Sequence, residues 1–432
     1  MTAVVGILNK RGAAIAADSA VTRGRGYKYT KNGNKMVRMS NIVPISVMLT
    51  GNGAFLRTQW DIIIRHYRQH RGDVVHETVE ACVHDFFKYI ADNHLFSEQD
   101  IVERHIKENI QDLFEHADQE VDFPFCERDE DGKLETPKEY QKAFLKILSG
   151  YRKRRSKDGV CPQFKDYTLE QFHSFAGKWV ENFLSGKCYE DDSMFFQGMY
   201  PKDVIDAISG DFEQTLMVML TNRRRDANLI FTGFGQDQKY PSLVSATVFE
   251  GFDNRVNYHI RPQDIICISD ETPVAICPFA QSDVVESILR GVHVEFAKTI
   301  QQEQKDVFSF GGIFTMEDDE NVPALDFHRM LSEIKVDDLE KKFVKAGIRF
   351  LDKNQKEWEK ALEGYDLLAM AALAQSLIDL TGFHRILHFE PEGVGGPVDL
   401  AVITKNEGFT WLSRKSWYHH KDIGGQYGVL GV

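Results

Sequence analysis

The first fifty residues alternate short apolar runs with turn signals, a pattern that is typical of β-strands. An apolar run from residue 2 to residue 8 is followed by a turn, and a second run, 13–17, ends on Asp18. Residues 35–39 and 42–50 predict two more strands, and the second is nearly all apolar, as in a strand buried on both faces. The chain therefore opens with β structure.

Helical spacing follows these strands. Apolar residues recur three and four positions apart near 55–70 and 75–91, which predicts two helices, and Asp73 is placed to cap the second. Thr168 and Gln171 predict a capping box at the start of a later helix. The remaining predicted elements are strands at 229–232, 243–249, 265–268, 398–404 and 408–412, and helices at 285–296 and 365–380.

Two polar, mostly helical stretches interrupt this order. Without them, strands and pairs of helices follow one another, which favours an α+β fold and a four-layer αββα sandwich. A doubly wound parallel sheet would instead alternate single strands and helices. We predict an interrupted core with two insertions and a flexible tail: 1–95 (core), 96–204 (insertion), 205–300 (core), 301–360 (insertion), 361–418 (core) and 419–432 (tail).

Composition narrows the class of protein. Of 432 residues, 42% are hydrophobic and 27% charged, which excludes wholesale disorder. The net charge of −13 argues against a general nucleic-acid binder, because phosphate contacts need basic surface. No stretch approaches about 18 uninterrupted apolar residues, so no membrane span is expected. The N-terminus lacks a secretory signal, and we expect a cytoplasmic protein with six reduced cysteines.

The sequence carries no metal-binding motif that we recognise. No two cysteines have the spacing of a zinc site. His66 and His70 are four residues apart, but no glutamate follows His66, so the metalloprotease motif is incomplete. We therefore expect neither a metal nor an organic cofactor.

Thr2 directly follows Met1 and is small enough for the methionine to be removed. A free N-terminal threonine holds both a nucleophilic hydroxyl and a base, its α-amine, whose ordinary pKa of about 7.7–8.0 is close to neutral pH. A nearby lysine would favour the neutral amine and stabilise developing charge, and a carboxylate would orient the lysine. Because threonine is common after Met1, Thr2 alone indicates nothing.

Downstream residues give Thr2 a context. Asp18 follows it by sixteen residues at the end of the second apolar run, Lys35 lies in Asn34-Lys-Met-Val-Arg, and Gly51 lies in Val47-Met-Leu-Thr-Gly-Asn-Gly. In these motifs the chain resembles the proteasome β-subunits and the bacterial proteasome-like peptidase, which are N-terminal nucleophile hydrolases. Weaker matches at 230–235, 275–281 and 395–404 extend the resemblance to about 250 residues. Residues 275–281 resemble the turn into the family's third helix.

The resemblance implies roles for particular residues. It makes Thr2 the nucleophile, Lys35 and Asp18 its tuning pair, and the Gly51 N–H an oxyanion donor. It also implies supporting and pocket residues: Gln281 and Ser282 for the first group, and Val21, Leu49 and Gly53 for the specificity pocket.

The chain departs from the family in its closing segment. Many proteasome subunits have an aspartate and a serine just before the paired glycines, where this chain has Pro391 and Val394 before Gly395 and Gly396. These departures bear on the hydrogen bonds that support the site.

The sequence thus predicts a threonine-type peptidase or amide hydrolase that acts on proteins or peptides through an acyl-enzyme. The resemblance implies a homo-oligomer and an AAA+ unfoldase partner. Two alternatives stay open: a non-catalytic, proteasome-like structural subunit that keeps Met1, and a small-molecule amidase of the same superfamily.

Overall fold

The computed structural model describes most of the chain as a mixed α+β protein. The described residues are 2–23, 28–30, 33–93, 98–121, 137–185, 202–223, 226–291, 349, 353–354, 356–387 and 394–415. The predicted helix positions 292–296, most of 301–360 and the tail at 419–432 lie outside them. The α+β prediction is confirmed at this level.

Strands and helices have the following bounds. The strands are β1 (Ala3–Asn9), β2 (Gly12–Ala17), β3 (Val21–Arg23), β4 (Lys28–Thr30), β5 (Met36–Arg38), β6 (Ile45–Gly51), β7 (Ala54–Phe55), β8 (Thr58–Gln59), β9 (Ala227–Gly233), β10 (Ser242–Phe252), β11 (Arg255–His259), β12 (Ile265–Cys267), β13 (Val274–Ala280), β14 (Asp399–Thr404) and β15 (Gly408–Ser413). The helices are α1 (Trp60–Arg71), α2 (Val79–Asp92), α3 (Gln99–Glu120), α4 (Pro137–Ser156), α5 (Leu169–Leu184), α6 (Lys202–Thr221), α7 (Asp283–Arg290) and α8 (Leu367–Leu387).

The chain divides into two compact units. The first comprises Met1–Met36, Gln238–Ser242 and Cys267–Val432, and the second comprises Val37–Asp237 and Leu243–Ile266.

The first unit contains a five-stranded antiparallel sheet in the order β13-β1-β2-β14-β15. Every residue of β1 and β2 is buried, as their unbroken apolar runs predicted. The small residues of β2 let α8 pack closely against it. A β-carbon on Gly12 would lie 2.9 Å from the Leu367 Cδ2 and 2.4 Å from the Ile403 carbonyl oxygen, so only glycine fits there.

The sequence of residues 275–281 resembles the turn into the family's third helix. In the structure, residues 275–280 instead lie in strand β13. This strand pairs along the whole of β1, with Pro278 opposite Val5. It lies at the edge of the sheet, where a residue without an N–H is tolerated. The turn begins only at Gln281, just before α7.

The second unit contains a six-stranded sheet in which β11-β10-β9-β6-β5 are neighbours and β12 pairs with β10. Strands β6 and β9 are antiparallel, from Ile45 opposite Gly233 to Gly51 opposite Ala227. Helices α3 to α6, most of which lie in the predicted insertion, contribute to the same apolar core as these strands. Their core residues include Ile106, Phe114, Phe144, Phe172 and Phe212.

Several predicted helix boundaries are wrong. Helix α1 begins at Trp60, because β7 and β8 form a hairpin whose turn residues Leu56 and Arg57 have positive φ. Helix α2 is capped by Thr78, whose Oγ1 accepts the Ala81 N–H at 3.1 Å, and Asp73 is not its cap.

Two further helix predictions have different outcomes. The capping box of Thr168 and Gln171 is confirmed at the start of α5. Helix α8 runs to Leu387, beyond its predicted end near residue 380.

Among the described residues, α8 alone has the length and composition of a membrane span. It packs on β1, β2 and β14 and buries Met370, Ala374 and Leu377. A core helix of a soluble protein meets the same two criteria.

Phe86→Ala should lower the free energy of unfolding by about 3–5 kcal/mol, because it opens a cavity in the core. Phe86 is fully buried and contacts the rings of Trp60, Tyr67 and Phe231. Urea unfolding measures the change, with Lys88→Ala as the control, since Lys88 lies exposed on the same helix. Equal unfolding midpoints for the two variants would contradict this packing.

Candidate active site

The β1–β2 hairpin places Thr2 next to Asp18. Its turn joins Asn9 to Gly12, so Ala3 and Asp18 meet at the open end. There the Asp18 N–H donates to the Ala3 carbonyl at 3.1 Å, and the Ala3 N–H donates to Asp18 Oδ1 at 2.9 Å. The carboxylate is therefore tied to the residue that follows Thr2, and Thr2 itself is half-buried.

Asp18 is fully buried and accepts four hydrogen bonds. Besides the Ala3 N–H, Oδ1 accepts Lys35 Nζ at 2.6 Å, and Oδ2 accepts the N–H groups of Ala20 at 3.2 Å and Gly395 at 3.1 Å. A carboxylate is stable in such a place only when it is paired and hydrogen-bonded. Asp18 thus joins the hairpin, the segment before β5 and the paired-glycine segment.

Lys35 directly precedes β5 and is only 6% exposed. Burial lowers the pKa of its ammonium, and the attraction of Asp18 opposes this without cancelling it. A proton is therefore held less firmly on Lys35 than on an ordinary lysine, which suits a group that exchanges or shares protons.

The two predicted supporting residues, Gln281 and Ser282, lie where the chain enters α7. The Gln281 N–H donates to the Thr2 carbonyl at 3.3 Å, so its backbone holds Thr2 in place. The Ser282 hydroxyl donates to Glu286 Oε1 at 2.9 Å, within the first turn of α7. The catalytic contribution of either side chain stays a prediction.

The paired-glycine segment supports Asp18 through its backbone. Gly395 donates its N–H to Asp18 and accepts the Ser19 N–H at 3.3 Å, and it has a φ of +147°. Of the two residues that depart from the family, Val394 is buried and Pro391 lies outside the described residues. The backbone of this segment therefore supports Asp18, since Val394 has no polar side chain that could do so.

Gly51 occupies a position that only glycine can take. Its φ is +81°, and an added β-carbon would lie 2.3 Å from the Asp226 carbonyl oxygen. Leu49 is buried in β6, and Gly53 is exposed with open space around it. The oxyanion role of Gly51 and the pocket roles of Leu49 and Gly53 stay predictions.

The third predicted pocket residue, Val21, begins β3. It pairs with Thr30 in a two-stranded ribbon. Its pocket role also stays a prediction.

Sequence reasoning missed a second buried ion pair near Lys35. Lys415 Nζ contacts the Asp399 carboxylate, the Gly33 carbonyl oxygen at 2.6 Å and Ser19 Oγ at 3.2 Å. Both Lys415 and Asp399 are buried. An aspartate opening an otherwise apolar strand was the one available signal, because nothing local marks Lys415.

Buried thiols are poor candidates for the nucleophile. Burial raises the pKa of Cys82, Cys161 and Cys277 to about 12, so each stays protonated near neutral pH. Cys267 is exposed. Among the described residues, no group of three or more His, Cys, Asp or Glu side chains could hold a metal ion.

Comparisons with known proteins leave the family unassigned. No protein-family model matches the chain, and no curated protein matches it. Among solved structures, a Gly-1 mutant of Anbu from Hyphomicrobium sp. strain MC1 matches with 12% sequence identity and a TM-score of 0.28. The match covers 96% of this chain and 86% of that one. Anbu is a bacterial proteasome-like protein. So distant a likeness carries no argument about activity, and the function has to be argued from the site.

Asp18→Ala should cost more stability than Lys35→Met. The first change leaves one ammonium and three N–H groups without their acceptor, a loss of about 3–5 kcal/mol on the scale of broken buried pairs. The second leaves Asp18 its three N–H donors and should cost less. Urea unfolding of both variants tests the order, and Asp270→Ala, in an exposed pair with Lys10, is the control. The reverse order would contradict the four-donor geometry.

Proposed function

We propose that the chain is an N-terminal threonine hydrolase that cleaves amide bonds in peptides or proteins through an acyl-enzyme on Thr2. One observation carries the proposal. Asp18 Oδ1 binds Lys35 Nζ at 2.6 Å and also binds the amide of the residue that follows Thr2. A buried lysine and a potential N-terminal nucleophile are thereby held by a single carboxylate.

Acylation would begin once Met1 is removed. The Thr2 Oγ attacks the substrate carbonyl carbon, and its proton passes to the α-amine directly or through a water molecule. A backbone N–H, for which Gly51 is the candidate, stabilises the oxyanion. The C–N bond then breaks, the proton goes to the leaving amine, and an ester remains on Thr2.

Deacylation uses the same groups. The α-amine takes a proton from water, the resulting hydroxide attacks the ester, and the acid product leaves as the Thr2 hydroxyl regains its proton. Protonated Lys35 favours the neutral α-amine and stabilises the negative charge that develops on oxygen. Asp18 keeps Lys35 in position. These steps require no metal or organic cofactor.

The same proposal extends to architecture and setting. We propose the four-layer αββα arrangement, a cytoplasmic homo-oligomer and an AAA+ unfoldase that delivers protein substrates. We propose neither a nucleic-acid nor a membrane partner.

In the family that the sequence resembles, two helices in the positions of α1 and α2 mediate subunit contacts. Arg65 is exposed and Arg68 and Glu80 are half-buried, so their charges would make such contacts polar. A monomer of about 50 kDa with full activity would instead favour a free-standing amidase.

The mature chain should begin at Thr2, and Thr2 should react covalently with a β-lactone probe. Intact mass before and after labelling reads both events. Thr2→Ala and Thr2→Val should lose labelling and peptide hydrolysis, and Thr2→Ser should keep part of both, because it retains hydroxyl and amine. Active protein that quantitatively retains Met1, or a hydrolytic Thr2→Val variant, would contradict the mechanism and favour another nucleophile.

Hydrolysis should follow a bell-shaped pH profile. The rate rises as the α-amine loses its proton and falls as Lys35 loses its own, at a pH below 10.5 because burial lowers the lysine pKa. Lys35→Met should reduce the rate roughly 10²-fold or more. It should also move the acid limb to higher pH, since a nearby cation no longer favours the neutral amine. An unchanged profile in Lys35→Met would show that another group titrates.

A further inference from the structure

We infer that Lys415 and Asp399 form a second ion pair that positions the proposed catalytic pair, Lys35 and Asp18, and acts on its charge balance. This inference rests on the proposed function of Thr2. It assigns positioning roles, and neither residue needs to touch the substrate.

The contacts of Lys415 connect the segments that carry the site. Its Nζ donates at 3.2 Å to the Oγ of Ser19, the residue directly after Asp18. It also binds the Gly33 carbonyl at 2.6 Å, two residues before Lys35. Its third partner, the Asp399 carboxylate, opens β14, which pairs with β2. One ammonium group therefore binds both the residue after Asp18, through its side chain, and the segment before Lys35, through its backbone.

Ser19 and Asp399 complete the arrangement. The Ser19 hydroxyl donates to the Pro397 carbonyl at 2.5 Å while it accepts from Lys415, and the Gly33 N–H donates to the Ser19 carbonyl at 2.9 Å. Asp399 Oδ1 accepts the Lys415 backbone N–H at 2.9 Å. These hydrogen bonds connect the residue after Asp18, the segment before Lys35 and the segments that flank β14 and β15. Lys35 therefore has little freedom to shift.

Charge gives the arrangement a functional reading. Replacing a buried ion pair with apolar side chains is often neutral or stabilising, so anchoring alone gives little reason for a second one. Within the part of the chain that the structure describes, the charged groups that act on Lys35 are Asp18 and Asp399, which favour its proton, and Lys415, which disfavours it. The pair of Lys415 and Asp399 therefore adds opposing influences on Lys35, and removing either member should tip the balance in a known direction.

The test measures the rate of β-lactone labelling at Thr2 against pH for four proteins: wild type, Lys415→Met, Asp399→Asn, and the double variant. Lys415→Met removes a cation and leaves an anion, so the alkaline limb should move to higher pH. Asp399→Asn leaves the cation, so the limb should move to lower pH. The double variant removes both influences, and its limb should return close to that of the wild type.

Both single variants should also label more slowly at their optimum, by up to about 10²-fold, the cost of displacing a reacting group by roughly 1 Å. Lys10→Met and Asp270→Asn are the matched controls. They break an exposed Lys–Asp pair at the turn end of the β1–β2 hairpin. Lys10 is eight residues from Thr2, which is roughly 26 Å at about 3.3 Å per strand residue. Neither control should move the profile.

The outcomes separate this inference from the proposed function. If wild type shows no Thr2-dependent labelling, the proposed function fails. If wild type labels but the two single variants leave the alkaline limb in place, or move it in the same direction, the inference is overturned. Should Lys415→Met fail to fold, Asp399→Asn and the double variant still test the predicted order.

Discussion

The buried carboxylate of Asp18 is the interaction on which the proposed site depends. It accepts Lys35 Nζ and the backbone N–H groups of Ala3, Ala20 and Gly395, so one side chain joins stretches far apart in sequence. A charge so completely enclosed has to be compensated on all sides. That requirement explains why the open end of the hairpin is ordered around it.

The sheet of the first unit makes this burial possible. Small residues along β2 allow α8 and β14 to approach closely, as the tight surroundings of Gly12 show. Edge strand β13 then brings Gln281 to the Thr2 carbonyl. Thr2 is half-buried at the end of a fully buried strand; its carbonyl accepts the Gln281 N–H, and the next residue, Ala3, is bonded to Asp18. Such preorganisation is what the proposed N-terminal nucleophile would require.

The ion pair of Lys415 and Asp399 is similar in composition to that of Lys35 and Asp18 and lies beside it. Each pair joins a lysine to an aspartate, and Asp18 and Asp399 both lie where a strand of this sheet begins or has just ended. The two pairs are connected through Ser19 and Gly33. On the inference above, charge and position are coupled, so a change at Lys415 should alter both where Lys35 lies and how firmly it holds its proton.

The sequence by itself determined the first strand and the hairpin that follows, because apolar runs and turn residues are local signals. The pairing of Asp18 with Lys35 was implied by the resemblance to the proteasome subunits, and the structure places the two side chains in contact. The predicted starts of two helices were wrong: the β7–β8 hairpin precedes α1, which begins at Trp60, and Thr78 caps α2. Only the tertiary structure decided that residues 275–280 lie in a strand and that α3 to α6 share the second unit's core. It alone brought Lys415 to Ser19 and Gly33. Such contacts arise from strand pairing and burial between distant segments, which no local pattern encodes.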